Sequence, residues 1–326
     1  MSLLTSTLPA LPACILALFV LLRARRLLPL DHPNARSLHS ASTPRIGGLG
    51  MVAGAVVAWS LQWPAGAWPL VLPASGLVLL SLLDDYLDLS TRLRLLAHLL
   101  AAGVFLAMVP VADWRIALGV FLGVVWMSNL YNFMDGADGL AGGMALFGFG
   151  AYALLAWLGG DVGLSLLCAT LAAAALGFLV FNFPPARLFM GDAGSVPLGF
   201  LAAAVGLIGW QRGLWPALAP LLIFSPFIVD ASVTLGRRAL RGERVWQAHR
   251  EHYYQRLVRM GWSHRRLALS EYAVMAAAAA SAIVLTQMPS WQGGLMWVWM
   301  LAYGAILVAI DRRWRAFEKS GRDHAA

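Results

Sequence analysis

The sequence predicts an all-α, polytopic membrane protein, and three observations support this prediction. Hydrophobic residues make up 60% of the 326 residues and charged residues only 12%, whereas a soluble domain carries about a quarter charged residues. Apolar segments recur from the first residues almost to the last. The basic residues cluster in alternate connections between those segments, which is typical of cytoplasmic loops. We therefore treat residues 1–326 as one integral membrane domain.

Eleven segments are candidates for membrane spans, each of which needs roughly 20 mostly apolar residues. The first has no basic region before it and is followed by Arg23, so we interpret it as a span and not as a cleaved signal peptide. Several segments are short, and ten spans is the alternative count. The predicted spans are 3–22, 48–63, 67–83, 93–110, 115–131, 140–158, 162–181, 196–211, 214–235, 270–287 and 293–311.

The distribution of Lys and Arg predicts the orientation of these spans. If the N-terminus faces outward and the spans alternate, only Arg115 and Arg212 of the 24 basic residues fall on the outer side. The loop 237–269 and the tail 312–326 are then cytoplasmic. We interpret the formal charge of +8 as a topology signal and a contact with anionic membrane lipids. It does not indicate nucleic-acid binding.

The first candidate site residues are Asp84, Asp85 and Asp88, at the inner end of the third span. On a helix, carboxylates three or four positions apart are neighbours and repel one another. A hard divalent cation such as Mg²⁺, which prefers oxygen ligands, would relieve this repulsion. The alternative interpretation is a solvated helix end that Arg92 and Arg94 neutralise.

A second polar cluster, Asn129, Asn132, Asp135 and Asp138, follows the fifth span at intervals of three residues. If this segment is helical, the four side chains lie along one face, where unpaired polar groups near a bilayer are costly. The glycines that follow allow close approach of a ligand or a helix. We predict a binding face, and a polar contact between helices is the alternative.

A third cluster surrounds Asp192 in the segment FNFPPARLFMGDAGS. Pro184 and Pro185 interrupt any helix there, and irregular backbone at the membrane edge lines a cavity or is buried in protein. The turn at 191–195 is suited to close approach of a phosphate, and Asp192 could supply an oxygen ligand to a metal. A plain connection between two helices is the alternative.

The fourth cluster lies in the long inner loop, where neutral and cationic hydrogen-bond donors are mixed, among them His249, Arg250, His252 and Arg256. Arg suits forked contacts with phosphate oxygens, and His can donate a hydrogen bond or transfer a proton. An amphipathic helix on lipid headgroups is the alternative for the basic flanks. Together with the acidic clusters, this loop predicts metal-assisted phosphoryl chemistry on the cytoplasmic face.

In these segments the sequence resembles the polyprenyl-phosphate N-acetylhexosamine-1-phosphate transferase family. The resemblance covers residues 31–262 approximately. DDxxD alone is weakly specific, whereas the Asn/Asp cluster followed by PAxxFMGDxGS is highly specific. The motifs that carry the resemblance are DHPNARSLHSASTPRIGG, DDYLD, NLYNFMDGADGLAGG, FNFPPARLFMGDAGS and HREHYYQRL.

The resemblance implies transfer of an N-acetylhexosamine-1-phosphate from a UDP-N-acetylamino sugar to undecaprenyl phosphate, with release of UMP. It implies Mg²⁺, with Mn²⁺ as a substitute, held by Asp192, Asp85 and Asp135. Asp84 and Asp85 would bind or deprotonate the lipid phosphate, and a homodimer is compatible with the family. The implied catalytic residues are Asp84, Asp85, Asp135 and His252, and the implied substrate-binding residues are Arg45, Asn129, Asn132, Asp138, Asn182, Phe189, His249, Arg250 and Arg256.

The long inner loop departs from the family pattern. Many relatives carry His-x-His-His there, whereas this chain keeps only His252 of that element. The form HREHYYQRL is more similar to the O-antigen-initiating branch, which accepts 6-deoxy amino sugars, and UDP-GlcNAc is the alternative donor. Two other functions remain open. A UbiA-type prenyltransferase would release pyrophosphate, and a cation-coupled transporter would place ionisable residues near mid-bilayer, where Asp230 is the nearest example.

Overall fold

The computed structural model describes residues 3–23, 30–31, 42–87, 89–245, 247 and 249–323. This part of the chain is almost entirely helical, as predicted. The helices are α1 (Leu3–Thr7), α2 (Ala10–Arg23), α3 (Gly47–Leu61), α4 (Trp68–Leu87), α5 (Thr91–Met108), α6 (Trp114–Met134), α7 (Leu140–Leu158), α8 (Val162–Asn182), α9 (Asp192–Gln211), α10 (Leu218–Ile223), α11 (Ser225–Leu240), α12 (Tyr253–Arg259), α13 (His264–Gln287) and α14 (Gln292–Asp323), with a 3-10 turn at Pro289–Trp291.

Within the described residues, nine helices are long and apolar enough to cross a bilayer, with α1 and α2 taken as one span. They coincide with nine of the predicted spans and confirm a polytopic membrane protein. The predicted span 48–63 corresponds to α3, whose 15 residues are fewer than a perpendicular span needs. The count of eleven spans therefore stays a prediction.

The predicted span 214–235 is divided at Phe224 into the short helix α10 and the longer helix α11. Pro226 lies in the first turn of α11, where its missing N–H costs no helical hydrogen bond and its fixed φ favours a new helix start. The division leaves α11 running from within the apolar region to the basic loop, with Asp230 in its second turn.

Helix α9 lies at the centre of the molecule, where it packs against α3, α4, α6 and α7. Its contact with α3 is close, since a Cβ atom on Gly48 would lie 2.4 Å from the backbone nitrogen of Gly194. Only glycine at these positions allows the two backbones to approach so closely. Helices α7 and α8 are also largely buried, whereas the apolar stretch of α14 is not buried within the protein and faces the lipid.

A short backbone-to-backbone ladder joins the segment before α3 to the segment before α9. Strand β1 (Leu30–Asp31) pairs antiparallel with β2 (Thr43–Pro44), and Arg45 forms a parallel bridge with Phe189. Phe189 donates its N–H to the carbonyl of Pro44 at 2.8 Å, and its own carbonyl accepts from Gly47 at 2.9 Å. The ladder fixes both segments at the end of the helices that carries the polar motifs.

Candidate active site

A cavity of about 1230 Å³ opens at one end of the helices. Its wall comes from the last turns of α4, α6 and α11, the first turns of α5, α9 and α13, and the loop that precedes α12. All four predicted polar clusters contribute to it. The predicted site residues that line the cavity are Arg45, Asp84, Asn129, Asn132, Asp135, Asp138, Phe189, Asp192, His249 and His252.

Arg94 connects two of the acidic clusters. Its Nη1 atom lies 3.3 Å from Oδ2 of Asp84 and 3.8 Å from Oδ2 of Asp192. Asp84 is buried at the end of α4 and also accepts the N–H of Leu89 at 2.7 Å. The guanidinium therefore reduces the repulsion between two carboxylates that the sequence separates widely.

The carboxylate of Asp192 is held from a second side by Asn132. The Nδ2 atom of Asn132 donates to Oδ1 of Asp192 at 2.9 Å and lies 3.0 Å from Oγ of Ser195. Asp192 is the first residue of α9, four positions earlier than the predicted start of that span, and Gly191 precedes it with a φ of 74°. A carboxylate in the first turn of a helix is stabilised by the helix dipole.

Asn129 occupies the same face of α6 one turn earlier. Its Nδ2 atom lies 3.0 Å from Nδ1 of His98 on α5 and donates to the carbonyl of Val125 at 2.7 Å. His98 is buried and lines the cavity, one turn beyond Arg94. This pair extends the polar wall from the mouth of the cavity toward its apolar interior.

The predicted row of four polar side chains on one helix is interrupted after Asn132. Helix α6 ends at Met134, and Asp135 is its C-terminal cap, so Asp135 and Asp138 lie on the loop that follows. The chain turns closely past the long inner loop at this point, because a Cβ atom on Gly136 would lie 2.1 Å from the hydroxyl oxygen of Tyr254. Glycine is needed there for steric reasons.

Asp138 has polar contacts in two directions. Its backbone N–H donates to Nδ1 of His264 at 3.3 Å. Its Oδ1 atom lies 3.0 Å from Nδ1 of His264 at the start of α13, and its Oδ2 atom accepts the N–H of Ala186 at 3.0 Å. The carboxylate thus joins the loop after α6, the proline-rich segment and α13. It also lines the cavity, so its orientation is fixed before any ligand binds.

Four neighbouring rings line one side of the cavity. The ring of His252 lies 4.8 Å from that of His249, 5.8 Å from that of Tyr254 and 6.4 Å from that of Phe133, measured between centroids. The hydroxyl of Tyr254 donates to the carbonyl of Phe133 at 3.2 Å. Stacking and this hydrogen bond tie the start of α12 to the end of α6.

Partial burial lowers the pKa of His249 to about 4, and the neighbouring His252 and Arg238 act in the same direction. Glu251 and Glu243 oppose this shift with smaller effects. His249 is therefore neutral at neutral pH. A neutral imidazole in the cavity wall can both donate and accept a hydrogen bond, which a protonated one cannot.

Four predicted site residues do not line the cavity. Asp85 follows Asp84 in α4 but is not among the residues that line the cavity, and Arg250 is exposed on the loop. Asn182 is buried, where it accepts the N–H of Gly139 at 2.9 Å and donates to the carbonyl of Leu188 at 2.9 Å. The side chain of Arg256 is directed to α14. Asp88 lies outside the described residues.

The buried side of α12 is held by Asp311 on α14, which the sequence did not indicate. Asp311 lies 3.1 Å from Nη1 of Arg256 and 2.7 Å from Nη1 of Arg237, and it accepts the hydroxyl of Tyr253 at 3.4 Å. The guanidinium of Arg256 also lies over the ring of Trp314, 5.7 Å from its centroid. The last span therefore holds the loop that carries the two cavity histidines.

The donor set of the cavity is compatible with a hard divalent cation. Among the described residues, no three His, Cys, Asp or Glu side chains are close enough to form a metal site by themselves. Among the acidic residues that line the cavity, Asp84, Asp135 and Asp192 could each offer carboxylate oxygens to a metal ion. Mg²⁺ is bound in this way, through one or two carboxylates completed by water and substrate phosphates. Asp135 and Asp192 are the residues that could hold it.

Comparison with known proteins agrees with this architecture. A family model described as glycosyl transferase family 4 matches residues 67–210. A probable undecaprenyl-phosphate N-acetylglucosaminyl 1-phosphate transferase of Bacillus subtilis is 32% identical, over 80% of this chain and 78% of the relative. The chain belongs to glycosyl transferase family 4. This membership confirms the resemblance found in the sequence and argues against the prenyltransferase and transporter alternatives.

Other members of glycosyl transferase family 4 differ in the sugar that their names contain. A phospho-N-acetylmuramoyl-pentapeptide-transferase of Geobacillus kaustophilus is 34% identical, over 72% of this chain and 81% of its own. An undecaprenyl-phosphate alpha-N-acetylglucosaminyl 1-phosphate transferase of Escherichia coli is 28% identical, over 90% of this chain and 86% of its own. Similarity therefore assigns the family, and the donor sugar has to be argued from the site.

The residues that sequence reasoning missed are mostly long-range partners of those that it found. Arg94 was considered only as a residue that neutralises the cluster Asp84, Asp85 and Asp88, although it also reaches Asp192 in another segment. His98 and His264 line the cavity without belonging to any of the quoted motifs. For His98 a signal existed, because a lone His one turn after Arg94 in an apolar span is unusual.

Proposed function

We propose that this protein transfers an N-acetylhexosamine-1-phosphate from a UDP-sugar to undecaprenyl phosphate on the cytoplasmic face of the bacterial inner membrane, and that UMP is released. The observation that carries the proposal is the convergence of Asp84, Asp135 and Asp192 with Arg94 and His252 around one cavity. Carboxylates, a guanidinium and an imidazole at a membrane-embedded helix end suit a reaction between two phosphorylated substrates.

In the proposed reaction, an oxygen of the lipid phosphate forms a bond to the sugar-bearing phosphorus of the donor. The bond between that phosphorus and the oxygen bridging to the nucleoside phosphate breaks, and UMP leaves with the bridging oxygen. Arg94 lies where it can exchange its carboxylate partners for phosphate oxygens, which guanidinium groups bind in forked geometry. Asp84, within reach of the same guanidinium, orients it.

Mg²⁺, held by Asp135 and Asp192, would neutralise charge on the transferring phosphate. The residues around it have separate tasks. Asn132 fixes the orientation of the Asp192 carboxylate, and the buried carboxylate of Asp84 faces the entering lipid phosphate. Asp85 stays a predicted ligand whose side chain does not line the cavity. Phe189, whose backbone is bridged to that of Arg45, lines the cavity and would offer a ring for the uracil.

The shape of the cavity supports a lipid substrate. Apolar residues of α4, α5, α6 and α11 continue its wall from the polar end toward the bilayer, among them Leu80, Leu95, Leu122 and Leu235. A polyprenyl chain can lie against such a surface while its phosphate stays at the polar end. The basic loops at the same end of the helices support the cytoplasmic orientation.

For the donor we propose a 6-deoxy amino sugar, with UDP-GlcNAc as the alternative. The loop carries one histidine of the family's His-x-His-His element and places neutral His249 beside it. Tyr254 and Gln255 stand where that element has its second and third histidines, and both line the cavity, so a phenol and an amide replace two imidazoles in its wall. The proposal would place the product at the start of lipid-linked O-antigen synthesis.

The experiment is a turnover assay with purified protein, undecaprenyl phosphate and a panel of UDP-amino sugars. We expect equal amounts of UMP and of a lipid product whose mass equals undecaprenyl phosphate plus the sugar phosphate. Removal of divalent cations with EDTA should stop the reaction, and Mg²⁺ should restore it. Release of pyrophosphate, or no turnover with any UDP-sugar of the panel, would contradict the proposed function.

A further inference from the structure

Asp230 is a buried carboxylate in α11 that accepts three hydrogen bonds from the neighbouring part of the chain and lies within hydrogen-bond distance of an imidazole. Its Oδ1 atom accepts the N–H of Tyr253 at 2.9 Å and the hydroxyl of Thr234 at 3.3 Å. Its Oδ2 atom accepts the N–H of Tyr254 at 2.9 Å. The Nδ1 atom of His252 lies 3.2 Å from Oδ1.

The contact with His252 carries chemical information that the other three do not. An ionised carboxylate can only accept hydrogen bonds, so a hydrogen bond in this contact requires the proton on Nδ1 of His252. In a neutral imidazole the other nitrogen, Nε2, then has the free electron pair. In the capping box of α12 the backbone N–H of Gln255 also faces this side chain, so a measurement of the tautomer decides which contact sets it. His252 lines the cavity.

We propose that Asp230 is a positioning residue, which holds His252 in the Nδ1–H tautomer so that an unprotonated Nε2 faces the cavity as a hydrogen-bond acceptor. The proposal rests on the proposed function, because it assigns to Nε2 a donor group on a substrate of that cavity. The rings of Phe133 and Tyr254 stack on the imidazole and fix its plane. Asp230 fixes which edge of the ring is directed toward the cavity.

A purely structural role for Asp230, as the N-terminal cap of α12, makes a different prediction. A cap needs only the N–H groups of Tyr253 and Tyr254 and is indifferent to the tautomer of His252. In that case substitution of Asp230 would reduce stability, but it would not act on turnover through the imidazole. A readout of the tautomer therefore separates the two roles.

The first measurement is ¹⁵N NMR of the purified full chain labelled at histidine, with the His252 signals assigned from their loss in His252→Gln. We expect His252 to be protonated at Nδ1 and unprotonated at Nε2 at neutral pH. In Asp230→Asn we expect the Nε2-protonated form to become populated. Protonation at Nε2 in the wild-type protein would overturn the proposal without any variant at position 230.

The second measurement is a double-mutant cycle on the rate of UMP release. Asp230→Asn should lower kcat at least about tenfold and leave KM for the UDP-sugar within about twofold. Added to His252→Gln, it should have no further effect on kcat, because its action passes through that imidazole. Thr234→Val, which removes only the hydroxyl donor to the same carboxylate, is the matched control and should stay within about twofold of wild type.

Fully additive losses in the double variant would overturn the proposal, because Asp230 would then act independently of His252. If Asp230→Asn does not fold, as judged by thermal unfolding in detergent, the wild-type tautomer alone decides the question. The NMR measurement needs no turnover. Absence of UMP release from wild type would therefore contradict the proposed function and leave the geometry of the Asp230–His252 pair to be judged by NMR.

Discussion

The side-chain amide of Asn132 donates a hydrogen bond of 2.9 Å to the carboxylate of Asp192, although the two residues lie in different helices and are 60 positions apart in the chain. The same amide nitrogen lies 3.0 Å from the hydroxyl oxygen of Ser195. An amide at the end of one span therefore fixes a carboxylate at the start of another.

Asn132→Ala should lower the rate of UMP release about 10- to 100-fold. A hydrogen bond to a charged group contributes roughly 1.5–3 kcal/mol, and each 1.4 kcal/mol of transition-state stabilisation is about tenfold in rate. Asn132→Asp should be more severe at low Mg²⁺, because it places a second negative charge against Asp192. The measurement is UMP release as a function of Mg²⁺ concentration. Wild-type activity in both variants would exclude this role for Asn132.

Asp192→Asn and Asp135→Asn should each abolish UMP release while leaving expression and membrane insertion unchanged. Both carboxylates line the cavity, and an amide neither carries their charge nor binds Mg²⁺ as well. Asp161→Asn is the matched control, since Asp161 also lies at a helix start but pairs with Arg212 away from the cavity. Normal turnover in both cavity variants would reject the assignment of the active site.

Arg94→Ala should raise KM for undecaprenyl phosphate and reduce kcat, because the guanidinium lies between Asp84 and Asp192 and its loss leaves their repulsion uncompensated. Arg92→Ala is the control, as Arg92 is exposed on the same helix and does not line the cavity. We expect an effect of at least about tenfold on kcat/KM for Arg94 only. The measurement is UMP release at varied lipid concentration. Equal effects of the two substitutions would indicate a general charge effect.

Asp311→Asn should lower the stability of the protein in detergent. Asp311 is buried and pairs with Arg237 and Arg256, and removal of one partner of a buried ion pair costs about 3–5 kcal/mol. Arg237 is partly exposed, so we expect the lower end of that range. Arg313→Ala, an exposed neighbour on α14, is the control. The test is thermal unfolding, and unchanged unfolding temperatures would show that α14 does not hold the loop.

The stability of the loop should fall as the pH decreases from about 6.5 to about 4, in part through His249. Its pKa is lowered to about 4 in the folded protein, so the unfolded chain binds a proton in that range while the folded chain does not. His249→Gln should therefore lose less stability than wild type between pH 7 and pH 5. Thermal unfolding across this pH range measures the difference, and parallel curves for the two proteins would contradict it.

The sequence predicted the features of this protein that depend on local composition. Span positions follow from hydropathy, because a bilayer requires a long apolar helix wherever the chain crosses it. The polar clusters were recognised because burial of Asp and Asn side chains next to an apolar span costs free energy unless they bind a partner or a substrate. Both Asp135 and Asp192 lie on the cavity that these clusters form.

Features that depend on tertiary contacts were not predictable in this way. Arg94 could be paired from the sequence only with its neighbours on α5 and α4, whereas it also reaches Asp192. Arg256 was expected to bind substrate, but its partner is Asp311 near the end of the chain. Asp230 was a candidate for cation transport and instead accepts the N–H groups at the start of α12. Nothing in local spacing specifies such partners.

The ladder between the segments before α3 and α9 bears on how the site can change between related enzymes. Arg45 and Phe189 are held at a constant separation by main-chain hydrogen bonds, which do not depend on the identity of either side chain. Substitutions there alter the chemistry of the rim while its geometry is kept. An insertion or deletion of one residue in either segment would shift the pairing and displace both groups together. Homologues that accept other nucleotide sugars are therefore expected to vary in side chains along this ladder and to conserve its length.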